Sequence, residues 1–432
     1  MPNRTSDSIQ PSAADSTPGT SPHAADLRLA LRAVHRASLL TKAVLRSLNN
    51  SVGAESKADD SPVTIADFAA QALIIAAIHA VYPNDSFVGE ESAEALRSNE
   101  KLRESVWGLV QQAGAASPHI LSWCDEKGEY VDAAMSQMDS ESPLATPKSV
   151  DEMLDIIDLG TGASTRAGRV WVLDPIDGTA TFMQGQQYAV CLCLLEDGVQ
   201  KVGVIGCPNL KIDVEKYASD REDAKAEGIM PPRLEIHEDL VDKTGFGVVI
   251  SAVKGQGTYI RSMLSPSPSA FPSASSAYFG TAHRIIHSPP PVQPQTQTPL
   301  HFVETTLGKT SLSQPEHSST ASLLSAVWPG TILWSSQMKY AALALGAADV
   351  TLRMPKTKER YTFIWDHAGG QIIFQETGGI VRDFWDGEID LGQGRRIMGE
   401  RNYGMVASVP WAWERVLEAT REVLERRTEG RL

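Results

Sequence analysis

Apolar positions between Ala25 and about Leu48 recur at helical spacing. Leu27, Leu29, Leu31, Val34, Ala37, Leu40 and Val44 fit a repeat near 3.6 residues, which predicts an amphipathic helix. A polar loop and Ser61-Pro62-Val63-Thr64-Ile65-Ala66-Asp67 follow. Phe68 to Val81 then reads as a second helix, with Leu73, Ile74, Ala77, Ile78 and Val81 on one face, broken by Tyr82-Pro83-Asn84-Asp85. Ser86-Phe87-Val88 is a short strand running into Gly89-Glu90-Glu91-Ser92. Helices are expected near 93–114 and 148–158, separated by a polar loop at 125–147. Continuous apolar runs predict strands at Arg169 to Leu173, Ala189 to Leu195 and Val199 to Ile205. Asp197-Gly198 marks a hairpin between the last two. A strand at Phe246 to Val253, a helix at Ser336 to Gly346, a strand at Ala348 to Met354 and a helix at Asp366 to Glu376 complete the pattern. No internal repeat is visible. Helices layered on antiparallel sheets are the expected architecture.

Two stretches stand outside this pattern. Residues 1–25 are rich in Ser, Pro, Thr, Asp and Ala and read as a disordered tail. Residues 264–298 are dense in Ser and Pro, including Pro289-Pro290-Pro291, and read as a mobile surface insertion. The 432 residues suggest two domains or one large two-part fold. The net charge of −14 argues against a nucleic-acid polymer or an anionic membrane as partner, because either needs a basic face. The four cysteines (Cys124, Cys191, Cys193 and Cys207) contain no zinc-type pair and fit a reducing, cytoplasmic setting. No apolar run reaches membrane-spanning length, and no signal-type segment is seen.

The candidate chemistry lies in Trp171-Val172-Leu173-Asp174-Pro175-Ile176-Asp177-Gly178-Thr179. Two carboxylates three residues apart leave the end of a buried strand and enter a Gly-Thr turn. Such a pair suits a hard divalent cation and a phosphate. The same residues also fit a plain structural turn. Three further acidic segments sit at element ends: Asp67 before a helix, Glu90-Glu91 after a strand, and Asp366 at a helix start. Taken singly, Asp67 and Asp366 fit N-caps, Glu90-Glu91 a solvated turn, and His367 an ordinary helix residue.

Together, Val63-Thr64-Ile65-Ala66-Asp67, Gly89-Glu90-Glu91-Ser92, Asp174-Pro175-Ile176-Asp177-Gly178-Thr179 and Trp365-Asp366-His367-Ala368-Gly369-Gly370 resemble the inositol monophosphatase-like superfamily of magnesium-dependent, lithium-sensitive phosphatases. The likeness covers most of residues 26–415. Within that superfamily the chain looks most like the eukaryotic 3′(2′),5′-bisphosphate nucleotidases of the fungal salt-tolerance type. Ala37-Ser38-Leu39-Leu40-Thr41-Lys42, Gln187-Tyr188-Ala189-Val190-Cys191, Gly206-Cys207-Pro208-Asn209-Leu210, Ser336-Gln337-Met338-Lys339-Tyr340 and Ala348-Asp349-Val350-Thr351-Leu352-Arg353 carry this closer likeness.

The resemblance implies an α+β sugar-phosphatase-like fold of alternating layers (αβαβα), with two lobes and the metal site between them. An N-terminal lobe would span 26–210, a C-terminal lobe 211–415, and a C-terminal helix and tail 416–432. It implies two to three Mg2+ ions: one on Glu90, Asp174 and the Ile176 carbonyl, a second on Asp174, Asp177 and Asp366, and a looser third on Glu90 and water. Asp67 and Thr179 would orient and deprotonate the attacking water. Thr179, His317, Ser336, Lys339 and Arg353 would bind the substrate, a small phosphorylated nucleotide, in a monomeric enzyme. The implied reaction removes the 3′-phosphate of adenosine 3′,5′-bisphosphate, and of 3′-phosphoadenylyl sulfate, and is linked to sulfate assimilation and salt tolerance.

Three departures bear on the substrate. Where the nucleotidases continue with a Lys-Gly pair and another basic residue, this chain has Ala180-Thr181-Phe182-Met183-Gln184-Gly185-Gln186. The acidic residue expected before Ser336 is Ser335, and His317 lacks its usual neighbours. These changes leave two alternatives to the nucleotidase reading: an inositol (poly)phosphate phosphatase, and a catalytically weak nucleotide-binding paralogue.

Overall fold

A computed structural model describes residues 22–47, 54–56, 62–114, 143–264, 278–286, 299–305 and 312–428. The expected tail up to residue 21 and the loop from 125 to 142 lie outside the described residues. The first helix, α1 (Ala24–Ser47), buries Leu29, Val34, Ala37, Leu40 and Val44. The second, α2 (Ile65–His79), is apolar all round and buried along nearly its whole length. That pattern belongs to a helix enclosed on every side. Here α2 packs on α1, on the helices Glu100–Gly114 and Val150–Leu159, and on a sheet.

Seven strands form that sheet: β1 (Ser86–Gly89), β2 (Arg169–Asp177), β3 (Ala189–Glu196), β4 (Val199–Cys207), β5 (Val248–Val253), β6 (Gly257–Ser262) and β7 (His283–Ile285), side by side in chain order. Only β1–β2 is parallel. Asp197 and Gly198, both at positive φ, make the expected hairpin turn between β3 and β4.

Four later helices are α3 (Gln314–Leu323), α4 (Ser336–Ala344), α5 (Ala368–Glu376) and α6 (Trp413–Thr428). A smaller sheet holds β8 (Val350–Arg353), β9 (Ile380–Arg382) and β10 (Met405–Ser408), with β10 in the middle. Helices α1 and α2 cover one face of the large sheet, and α4 and α5 cover the other. The small sheet packs on the far side of α4 and α5, and α6, with α3 beside it, closes the last face. The layers therefore alternate α, β, α, β, α, as the resemblance implies.

Several boundaries differ from the sequence reading. The large sheet crosses residue 210 without a break, since β4 pairs with β5 along its length. A lobe boundary at 210 would cut through that sheet, whose last strand ends only at Ile285. The 264–298 segment is not a single loop. It contributes β7 and the buried Phe279, which bridges to Met263. The helix expected over 93–114 is two helices, Glu94–Ser98 and Glu100–Gly114. Helix α2 starts at Ile65, so Asp67 lies inside its first turn rather than before it. Helix α5 starts at Ala368, so Asp366 lies in the preceding turn. Neither aspartate is an N-cap.

Candidate active site

The site begins with an irregularity in β2. This strand pairs with β3 at Asp174↔Cys191 and next at Asp177↔Ala189, so three steps on one strand match two on the other. Side chains three apart on a regular strand point to opposite faces. One extra residue restores them to the same face. Pro175 lies in the gap, where no ladder donor is needed. Asp174 and Asp177 thus both face the α4/α5 layer.

Asp366 comes from that layer. Helix α5 docks closely because Gly369 and Gly370 have no side chains. A Cβ at Gly369 would strike the Sγ of Cys191 on β3, and one at Gly370 would run into the Tyr340 ring on α4. One carboxylate oxygen each from Asp174, Asp177 and Asp366 lie within 4.8 Å of one another. The N-terminus of α4 points at the same place. Asp177 Oδ2 accepts hydrogen bonds from Ser335 Oγ and from the Gln337 amide, both at 2.5 Å. An anion is favoured there by the helix dipole as well. Ser335 also caps α4 by accepting from the Met338 amide at 3.0 Å. Thr362 Oγ1 donates to Asp366 Oδ2 at 3.2 Å.

Burial and mutual repulsion dominate the electrostatics. Burial, then Glu90, Asp177, Asp366 and Asp67, push the Asp174 carboxyl well above the usual carboxylate range. Glu90 and Asp67 therefore act on the same group. Asp366 is pushed up to about 7 by burial and by Asp177 and Glu90. Burial also raises Asp177, against the hydrogen bonds from Ser335 and Gln337. Asp174 Oδ1 is buried with no hydrogen-bond partner among the described residues. A buried acceptor left unpaired beside like charges is costly. A divalent cation with a preference for oxygen would relieve both costs, so these residues fit such an ion.

Gly178 turns the chain out of β2 at φ 94, and a Cβ there would crowd Thr181 and Ser335. Thr179 follows, buried, its Oγ1 donating to the Ile176 carbonyl at 3.1 Å. A carbonyl oxygen has two lone pairs, so Ile176 keeps one for another partner.

A cavity of about 240 Å³ adjoins Asp366. Ser336, Lys339, Arg353, Thr351 and Trp334 line it. Burial lowers the Lys339 pKa, which Asp177, Glu304 and Asp366 raise again. Arg353 donates to the Tyr361 carbonyl at 3.0 Å. Three of the five residues expected to bind the substrate, Ser336, Lys339 and Arg353, thus gather in one cleft. His317 is placed behind it, fully buried. Its Nδ1 pairs with Glu304 at 2.7 Å and its Nε2 accepts from the Met354 amide at 3.1 Å. His367 is likewise engaged at both ring nitrogens, by Tyr340 (3.0 Å) and Thr362 (2.9 Å). Burial drives its pKa well below the usual histidine value.

Sequence reasoning missed the supports. Gln71, one turn along α2 from Asp67, accepts from the Glu91 amide at 3.0 Å and donates to the Glu91 carbonyl at 2.7 Å. Gln337 Nε2 donates to the Trp365 carbonyl at 2.6 Å. Three stretches noted separately in the sequence meet under the turn after Thr179. Lys42 donates to Asn209 Oδ1 and the Pro208 carbonyl, and Asn209 donates to the Gln186 carbonyl. Thr41 bonds Tyr188 at 3.0 Å. Their signal was co-occurrence of polar residues in otherwise apolar runs.

Comparison with known proteins shows what the whole chain is similar to. Residues 131–422 match the family model described as "Inositol monophosphatase family". A 3′(2′),5′-bisphosphate nucleotidase of Emericella nidulans is 37% identical over 401 residues, 91% of this chain and 96% of that protein. Another from Schizosaccharomyces pombe is 33% identical over 405 residues, 92% and 96%. Among solved structures, the extragenic suppressor protein suhB of Bartonella henselae aligns with a TM-score of 0.50 at 14% identity, covering 92% of this chain and 99% of that one, which speaks to the fold alone. The family match begins beyond Asp67 and Glu90, whereas the two nucleotidase alignments span over nine-tenths of the chain.

Proposed function

Because this chain belongs to the inositol monophosphatase family, we propose that it is a phosphoric monoester hydrolase that removes the 3′-phosphate of adenosine 3′,5′-bisphosphate, and of 3′-phosphoadenylyl sulfate. Water adds to phosphorus, the bond to O3′ breaks, and that oxygen leaves with a proton; from the bisphosphate the products are AMP and inorganic phosphate.

The observation that carries the substrate is the cleft. A carboxylate cluster alone serves any phosphate monoester. Here it adjoins a cavity presenting Lys339, Arg353 and Ser336, which suits a second phosphate on the same molecule. Trp334, 44% exposed at the rim, offers an aromatic face to a base.

Magnesium is the ion the donors favour, all being hard oxygens. Glu90, Asp174 and the Ile176 carbonyl would hold one ion, Asp174, Asp177 and Asp366 another, and Glu90 with water a looser third. When bound, such ions polarise the phosphate and acidify water. As folded, Thr179 donates its hydroxyl proton to the Ile176 carbonyl. To take a proton from the attacking water it must give up that proton in the same step. Asp67, a buried carboxylate of α2, would receive it, so that Thr179 ends neutral and Asp67 protonated. Lys339 and Arg353 anchor the far phosphate and set the distance to the ester.

Phosphate release should be measured on adenosine 3′,5′-bisphosphate, 3′-phosphoadenylyl sulfate and inositol phosphates, with and without Mg2+, under lithium titration. The expected outcome is Mg2+-dependent, lithium-inhibited release with the adenosine compounds preferred. A preference of about tenfold or more for an inositol phosphate, some 1.4 kcal/mol in transition-state binding, would overturn the nucleotide assignment and leave the reaction class standing.

A further inference from the structure

Two of the proposed metal-binding residues, Glu90 and Asp366, are far apart in sequence and come from different layers. One residue touches both of their segments. The Arg395 guanidinium donates from Nη2 to the Gly89 carbonyl at 2.7 Å, directly before Glu90. From Nη1 it donates to the Gly160 and Gly162 carbonyls at 2.8 and 3.1 Å. Gly160 in turn accepts from the Gly89 amide at 2.8 Å. The same guanidinium lies over the Trp365 ring, 4.7 Å from its centroid. The Arg395 carbonyl accepts from the Ile364 amide at 3.1 Å, two residues before Asp366. Glu90 and Glu91 both lie within its electrostatic reach. Arg395 thus grips the Glu90 turn with its side chain and the 364–366 segment with its ring contact and backbone.

We propose that Arg395 is a positioning residue that sets the spacing between Glu90 and Asp366 and so preorganises the metal site. The inference rests on reading those two carboxylates as metal ligands. The planar fork is what the task needs: it reaches three carbonyls at once while its flat face stacks on an indole. A lysine ammonium is a point charge and cannot do both. Groups that orient ligands typically change metal affinity about 10- to 100-fold when lost.

The test compares the full chain with Arg395→Gln, Arg395→Lys and, as a control, Arg396→Gln, the exposed neighbour. Mg2+ affinity is read by calorimetry and by Mg2+-induced thermal stabilisation, beside the melting temperature in EDTA and the KM for adenosine 3′,5′-bisphosphate at saturating Mg2+. The expected result is Mg2+ binding about 10- to 100-fold weaker in both Arg395 variants, with KM at saturating Mg2+ unchanged and Arg396→Gln like wild type. If Arg395→Gln does not fold, Arg395→Lys, which keeps the charge, decides. Unchanged Mg2+ affinity with only a lower melting temperature in EDTA would overturn the inference and make Arg395 purely structural. Failure of wild type itself to bind Mg2+ would instead sink the reading of the ligands, and the inference with it.

Discussion

At the scale of single residues, Asp174 is the centre of the site. It carries a buried oxygen with no hydrogen-bond partner among the described residues, and four other carboxylates act on it. Asp174→Asn removes a group that, without a cation, must either repel its neighbours or take up a proton that the unfolded chain releases. The metal-free protein should therefore melt higher than wild type, while Mg2+-induced stabilisation is lost and phosphate release falls by more than about 100-fold, beyond the loss typical of a merely orienting group. Calorimetric scans with and without Mg2+, beside a phosphate assay, check both directions; an apo form that melts lower contradicts the repulsion argument. Thr179→Val tests a different role. It keeps the shape and removes the hydroxyl on the Ile176 carbonyl. Loss of a positioned proton acceptor should cost about 10²- to 10⁴-fold in kcat, with Mg2+ affinity held. A parallel loss of Mg2+ affinity would assign Thr179 to the ion instead.

Elements explain why those residues meet, and here the sequence was legible only in part. Periodicity located α1, β3 and β4 to within a residue or two, because strong apolar patterns are local. The Asp174/Asp177 motif was legible as chemistry but not as geometry. Their shared face depends on a bulge, and a bulge is defined by β3, the partner strand. The supports were hidden for a related reason. Arg395 acts on Gly89 across 306 positions, and no spacing rule reaches that far. His317 shows the converse: a motif placed it with the cleft residues, while Glu304 and the Met354 amide hold it in the core behind them. The Gly369-Gly370 pair was read as part of a motif; its physical role is to let α5 approach Cys191 and Tyr340. Gly369→Ala should force α5 off the sheet. Overpacking of this kind costs about 1–3 kcal/mol. Because Asp366 sits just before α5, Mg2+ affinity should fall as well. Denaturant unfolding with Mg2+ titration checks this, and a destabilised variant with wild-type Mg2+ affinity would uncouple the helix from the site.

The whole molecule stores repulsion at the seam where the α4/α5 layer meets the large sheet, and pH reveals it. Asp366 has a folded-state pKa near 7 against an ordinary 3.8, and Asp174 and Asp177 are raised too. Between those values the folded chain holds protons that the unfolded chain has released. From these groups alone, stability without metal is greatest at low pH and falls as pH rises toward 7. His35, lowered to about 4 by burial, and His367, also lowered, act in the opposite sense over part of that window. Lys42, lowered to about 7 by burial, adds a rising slope only above that value. Melting temperature alone therefore mixes signs, but the difference between Mg2+ and EDTA does not, since the histidines and Lys42 titrate equally in both. A cation binds the ionised carboxylates and must displace their protons. The stabilisation by Mg2+ should accordingly grow from pH 5 to about pH 7 by roughly 1.4 kcal/mol per pH unit for each proton displaced, the share of Asp366 levelling off above that. Asp366→Asn should flatten this rise. Differential scanning calorimetry across that range, in Mg2+ and in EDTA, measures the slope directly; a difference independent of pH would mean that the carboxylates are already ionised in the metal-free fold and that repulsion is relieved by some other group.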